Sequence, residues 1–233
     1  MSVEIEVVKS PARACAAMLV GAVAGDGQVV LAGGSTPRAA YTEFVQTALV
    51  VELQLNETTL WFGDERCVSP DDDRSNFKMA KQALLDPLGA AAPTQVRRMR
   101  GELAPDEAAD EYERELRDAG PPEFDLVLLG IGPDAHTLSL FPDQATVSER
   151  TRLVVAVPEA AHEPFVPRVS LALPALELAR HVVFLVSGES KADAVGAAFG
   201  KDAKPDPHVP ASMVASHTER VTVLLDAPAA ARL

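Results

Sequence analysis

Residues 124–143, FDLVLLGIGPDAHTLSLFPD, join an apolar run to a glycine-rich turn that presents Asp134, His136, Thr137 and Ser139. The apolar run reads as a buried strand, and irregular backbone carrying a histidine beyond a strand's carboxyl end is where open α/β sheets build small-molecule sites. Outward from this stretch, short apolar runs predict further strands at 4–8, 28–32, 58–63, 153–157, 169–173, 182–186 and 221–225, with 124–129 among them. Amphipathic stretches predict helices at 11–24, 37–48, 76–85, 105–118, 175–179 and 191–199, three of them opening at Pro and two directly after Ser. The alternation of the two predicts an α/β chain with a largely parallel sheet covered by helices on both faces.

The 233 residues, 47% of them apolar, suffice for one large α/β domain, and no repeat or linker divides the chain, so one domain over 1–233 is expected. Cys15 and Cys67 are far apart and form no CxxC spacing, which favours a reducing cytoplasm over a disulfide framework or zinc site. The amino-terminal stretch lacks the basic start and unbroken apolar run of a signal peptide, and no run is long enough for a bilayer, so a soluble chain without membrane attachment is expected. A formal net charge of −13 argues against nucleic acid, whose phosphates need a concentrated basic face. It leaves room for a small phosphorylated ligand, because a few cations converging on one pocket are enough.

After the second predicted strand, Gly33, Gly34 and Ser35 precede Thr36 and Pro37 at a helix start. Paired glycines let backbone amides approach an anion, Ser35 or Thr36 can donate a hydroxyl or cap the helix, and Pro37 suits the first turn. After the third, Asp64 can bind sugar hydroxyls and Arg74 a phosphate, while Asp73 or Ser75 can cap the next helix. Asp71, Asp72 and Asp73 are adjacent acids without a spaced partner and do not make a metal loop. Residues 130–135 satisfy a loose G-x-G-x-x-A pattern, but Pro133 and Phe141-Pro142 break the helix that a dinucleotide site requires. His136, flanked by hydroxyls and an acid, is placed for proton transfer. Arg168, Ser170 and Lys191 stand at the edges of later apolar runs and together can close an anionic pocket. Residues 200–210, GKDAKPDPHVP, read as a mobile surface loop.

Taken in order, LAGGSTPRAAY, WFGDERCVSPDDDRSNFKMAKQALL, FDLVLLGIGPDAHTLSLFPD, PRVSLALPAL, LVSGESKADAV and VPASMV resemble the 6-phosphogluconolactonase family over most of the chain. The resemblance implies a Rossmann-like α/β fold, a largely parallel sheet with helices on both faces, and a cytoplasmic, cofactor-independent hydrolase of the pentose phosphate pathway. Its substrate would be 6-phospho-D-glucono-1,5-lactone and its assembly a monomer or weak homodimer. It also implies that His136 activates water, that Gly33, Gly34 and Ser35 form a ligand loop, that Arg74 and Lys191 lie near the substrate phosphate, and that Asp64 and Arg168 edge the pocket. The family usually has Gly where this chain has Ala135, so a turn at positive φ would be strained here. A related deaminase family, acting on glucosamine 6-phosphate, is similar in the glycine loop and the Asp-x-His turn. It carries a glutamate five residues beyond the histidine, where this chain has Phe141. A non-catalytic sugar-phosphate sensor of the same fold would bring a DNA-binding module, for which the chain has neither length nor a basic helix.

Overall fold

The computed structural model describes residues 2–23, 27–119 and 123–233. In chain order its strands are β1 (Ser2–Val7), β2 (Gln28–Leu31), β3 (Thr59–Phe62), β4 (Asp64–Arg66), β5 (Gln95–Arg97), β6 (Leu126–Leu129), β7 (Val154–Val157), β8 (Arg168–Leu171), β9 (Val182–Val186) and β10 (Arg220–Leu225). The α-helices are α1 (Pro11–Ala22), α2 (Ser35–Val50), α3 (Asn76–Ala80), α4 (Asp86–Leu88), α5 (Pro105–Asp118), α6 (Ala192–Phe199) and α7 (Pro210–Met213). Ala24, the expected last residue of the first helix, lies outside the described residues.

Seven strands make one sheet in the order β1, β10, β9, β6, β2, β3, β5, and every neighbouring pair is parallel. Its inner strands β10, β9, β6, β2 and β3 are buried on both faces, which is why they read as apolar runs, whereas the edge strands β1 and β5 are partly exposed. On β6, Leu126 and Leu128 pack with Leu19, Tyr41 and Phe44 of α1 and α2, while Val127 and Leu129 face Tyr112 and Leu116 of α5. Helix starts follow the local chemistry. Ser10 caps α1 by accepting from Arg13 N–H at 3.2 Å, and α5 opens on Pro105, Asp106 and Glu107 and closes near Arg117, with the dipole.

The connections position the site. From β2 the chain moves through α2 to β3 on one side, whereas from β6 it moves to β9 on the other. A crevice therefore opens beyond the carboxyl ends of β2 and β6, the switch point at which such sheets bind ligands.

A second sheet, β4, β8, β7, is antiparallel and sits beside this crevice. Its strand β4 was not predicted, and neither was β5: both are three residues long and rich in polar or charged side chains, so neither shows an apolar run. Other expectations are corrected at their ends. Residues 173–178 form a 3-10 helix rather than an α-helix, the helix expected over 76–85 passes into a π-helix at Lys81–Leu85, and Lys191 closes a 3-10 turn ahead of α6. The segment expected to be mobile leads into α7 and is tied to the turn after β6: Ala211 N–H donates to the Ala135 carbonyl at 3.1 Å, and His208 Nδ1 lies 2.5 Å from Asp143. Among the described residues, no helix is long and apolar enough to cross a membrane.

Candidate active site

The loops after β2, β6 and β9, with β4 and the segment leading into β8, enclose a cavity of about 310 Å³. Its wall after β6 is the turn of Gly132 to Leu138. Gly132 N–H donates to the His136 carbonyl at 2.8 Å and Ala135 N–H to the Gly132 carbonyl at 3.0 Å. The reversal is so tight that Ala135 takes a φ of 65° and Leu138 one of 55°. The positive φ expected at Ala135 is therefore present, in a residue whose Cβ makes that conformation costly. Gly132 has a different reason to be glycine: a Cβ there would fall 2.1 Å from His136 Nδ1.

His136 Nδ1 lies 2.5 Å from Asp134 Oδ1, and the same oxygen accepts from the His136 backbone N–H at 3.2 Å. A carboxylate only accepts, so Nδ1 carries the proton of the neutral ring and Nε2 is left as its lone pair. Burial opposes charge on Asp134, but the hydrogen bonds from His136 outweigh it and hold that carboxyl below its ordinary range. Nε2 makes no hydrogen bond among the described residues, in a ring that lines the cavity. Phe141 packs against the ring with centroids 4.7 Å apart, fixing its plane.

The wall after β2 is Ala32 to Pro37. Tyr41, fully buried on α2, accepts from Ala32 N–H at 2.9 Å and donates to the Ala32 carbonyl at 2.8 Å, clamping the loop's first residue. A Cβ on Gly33 would overlap the Asn76 amide at 2.0 Å, and Gly34 has a φ of 106°. Gly34, not Ser35 or Thr36, is the N-cap of α2, and no side chain caps this helix. Its first N–H groups are thus unspent beside the cavity, where they and the helix dipole favour an anion.

The small sheet brings charge. Asp64 Oδ1 accepts from Asn76 Nδ2 at 2.9 Å and Oδ2 from Ser139 Oγ at 2.7 Å, so this carboxylate ties the histidine turn to α3. Buried Glu65 accepts from the backbone N–H groups of Arg66, Asn76 and Phe77 and from Ser75 Oγ, at 2.7 to 2.9 Å. Burial pushes its pKa up and those donors pull it back, and Ser75 also caps α3 as expected, accepting from Lys78 N–H at 3.1 Å. Arg66 and Arg168 are directly opposed in the β4–β8 register. Each has a buried Nε–H without a hydrogen-bond partner among the described residues. Two guanidiniums side by side repel, and a buried unpaired donor is costly, unless an anion lies against them. Arg168 is further held by Nη2, which donates to the His162 and Pro164 carbonyls at 3.0 Å each, and it lies over Phe141 at 5.6 Å. Burial pushes its pKa down.

After β9, Lys191 is half-buried and lines the cavity, and its Nζ has no hydrogen-bond or ion-pair partner among the described residues. Burial lowers its pKa and Asp134 works the other way.

The structure therefore brings Gly33, Gly34, Ser35, Asp64, His136, Arg168 and Lys191 to one cavity. Arg74 is not among the lining residues. Its exposed guanidinium donates to Asp72 from Nε at 2.8 Å and from Nη2 at 2.7 Å, because that carboxylate sits two residues away in the same loop. Only the Arg74 carbonyl serves the site, accepting from Arg66 Nη1 at 2.5 Å. Sequence reasoning assigned no role to Arg66, Asn76 or His162, and took Asp134 only as the acid flanking His136. The i, i+2 spacing of Asp134 and His136 is a local signal that could have paired them; the other three come from remote segments with no shared pattern. Among the described residues, no group of three or more His, Cys, Asp or Glu could hold a metal ion.

The family model described as glucosamine-6-phosphate isomerases/6-phosphogluconolactonase matches residues 3–223. A 6-phosphogluconolactonase of Mycobacterium tuberculosis is 40% identical over 227 residues, covering 91% of this chain and 88% of that protein. A human 6-phosphogluconolactonase is 41% identical over 179 residues, covering 75% and 67% respectively. The solved structure of 6-phosphogluconolactonase from Trypanosoma cruzi superposes with a TM-score of 0.84 at 29% identity, covering 100% of this chain and 97% of that one.

Proposed function

The chain belongs to the glucosamine-6-phosphate isomerase/6-phosphogluconolactonase family, and from that membership we propose that it hydrolyses 6-phospho-D-glucono-1,5-lactone to 6-phosphogluconate, with His136 activating the water. The family description spans two chemistries, so the choice between them rests on the site. The observation that carries it is the pairing of His136 with Asp134 at 2.5 Å, beside a buried aromatic ring rather than a second carboxylate. Deamination with ring opening would call for an acid at position 141, and Phe141 has none to give.

Lactone hydrolysis needs a base, a donor for the developing oxyanion and a proton for the leaving ring oxygen. His136 Nε2 takes a proton from water as its oxygen attacks C1, and Asp134 stabilises the imidazolium that forms. That imidazolium then protonates the departing ring oxygen, so no covalent intermediate is needed. Lys191, Arg168 and the uncapped amino end of α2 offer an ammonium, a guanidinium and backbone N–H groups to the substrate phosphate. Arg66, beside Arg168, is the remaining donor for the oxyanion. Asp64 acts through Ser139 and Asn76, keeping the turn against α3. Phosphate binding away from C1 holds the ester in register with the base.

The test is hydrolysis of freshly generated phosphogluconolactone measured against its spontaneous rate, with glucosamine 6-phosphate assayed in parallel. Acceleration of the lactone alone is expected. Ammonia release from the amino sugar, or no acceleration of the lactone, would refute the assignment.

A further inference from the structure

Beside the proposed base stands a second histidine that the mechanism above does not use. The ring centroids of His162 and His136 are 5.6 Å apart, and both side chains line the cavity. His162 lies in the segment leading into β8. Its backbone carbonyl accepts from buried Arg168 Nη2 at 3.0 Å, so the segment is pinned to the most deeply held cation of the site. Its Nδ1 lies 3.0 Å from the Glu163 carbonyl. A carbonyl oxygen can only accept, so Nδ1 carries the proton and Nε2 of the neutral ring is a lone pair. Nε2 makes no hydrogen bond among the described residues.

We propose that His162 reads the substrate's C2 hydroxyl, accepting its proton in a hydrogen bond at Nε2, and thereby sets specificity among lactones. This rests on the lactonase reading. The position follows from it: His136 acts at C1, and a ring whose centroid lies 5.6 Å from the centroid of the His136 ring is within reach of a substituent on the carbon next to C1. The titratable groups around the cavity are Asp64, Arg66, His136, Glu163, Arg168 and Lys191, with Asp134 behind His136, so cations and carboxylates both face it. The hydrogen bond at Nδ1 is what leaves Nε2 as the acceptor. Asp64 has each carboxylate oxygen engaged by a donor, and His162 offers a neutral acceptor at Nε2 beside the base.

The experiment compares the wild type with His162→Ala and His162→Asn on phosphogluconolactone and on its 2-deoxy analogue, which lacks the hydroxyl in question. The wild type should lose about tenfold in kcat/KM when the hydroxyl is removed, the scale of one hydrogen bond. His162→Ala should lose about the same on the full substrate and then fail to distinguish it from the 2-deoxy lactone. His162→Asn, which keeps an acceptor oxygen, should recover part of the discrimination. A purely structural role would lower both substrates together and leave their ratio unchanged, and that result would overturn the proposal. So would full discrimination in the alanine variant. Failure of the wild type to accelerate the lactone at all would instead remove the reading on which it rests, and the two failures are distinguished by the wild-type rate alone.

Discussion

The two sheets make opposite contributions to one cavity. The seven-stranded sheet is apolar on both faces of its inner strands, and these deliver backbone to the site: the open amino end of α2 after β2 and the folded turn of His136 after β6. The three-stranded sheet carries charge in its buried positions, with Asp64, Glu65 and Arg168 largely shielded from solvent. Its side chains hold one another by hydrogen bonds, and the cross-strand Arg66 and Arg168 are left with unpaired donors. The larger sheet is organised by burial, which stabilises the fold without a ligand. The smaller sheet carries like charges and unpaired donors side by side, features that are costly by themselves and that a bound anion would offset.

This division can be broken at either sheet. The largest effect is expected at the turn after β6. His136→Ala should lower lactone turnover by at least about 10²-fold while leaving product binding intact, since general bases contribute on that scale. Steady-state kinetics with calorimetric titration of 6-phosphogluconate checks it; an unchanged kcat would remove the base. At the small sheet, Arg66→Met should lower kcat by about 10²-fold as an oxyanion donor is lost, with a smaller change in product affinity. Thermal unfolding of the same variant should show no loss of stability, because one of two apposed cations has been removed. A marked drop in melting temperature would mean that the pair supports the fold rather than the ligand. The smallest effect tests the strain in the turn. Ala135→Gly should stabilise the protein against urea by about 0.5–1 kcal/mol, because glycine tolerates positive φ without the Cβ clash. Destabilisation would show that packing of the Ala135 methyl outweighs its backbone strain.

The same contrast governs legibility. Strands β2, β3, β6, β9 and β10 are visible as apolar runs because each is covered on both faces. The parallel order follows from their alternation with helices. Residues carried at the carboxyl ends of those strands were legible too: Gly33, Gly34, Ser35, His136 and Lys191 sit where strand ends place them. β4 escaped notice because three consecutive polar residues resemble a surface loop. Asp64 and Glu65 are buried only because Glu65 finds three donors at the start of α3, and Asp64 finds Asn76 and Ser139. Arg74 lies outside the cavity lining for the complementary reason. A cation in the right motif can be captured by a nearer acid, and Asp72 is two residues away.

The sequence by itself determined the α/β class, the strand-end positions of the glycine loop and the histidine turn, and the conflict at Ala135, because these depend on local periodicity and backbone sterics. Only the tertiary structure decided that Arg66 stands beside Arg168, that Arg74 stays outside, and that His162 joins His136 across the cavity. Those placements depend on contacts between segments remote in sequence, and electrostatic partnership is settled by distance in space, which no local pattern encodes.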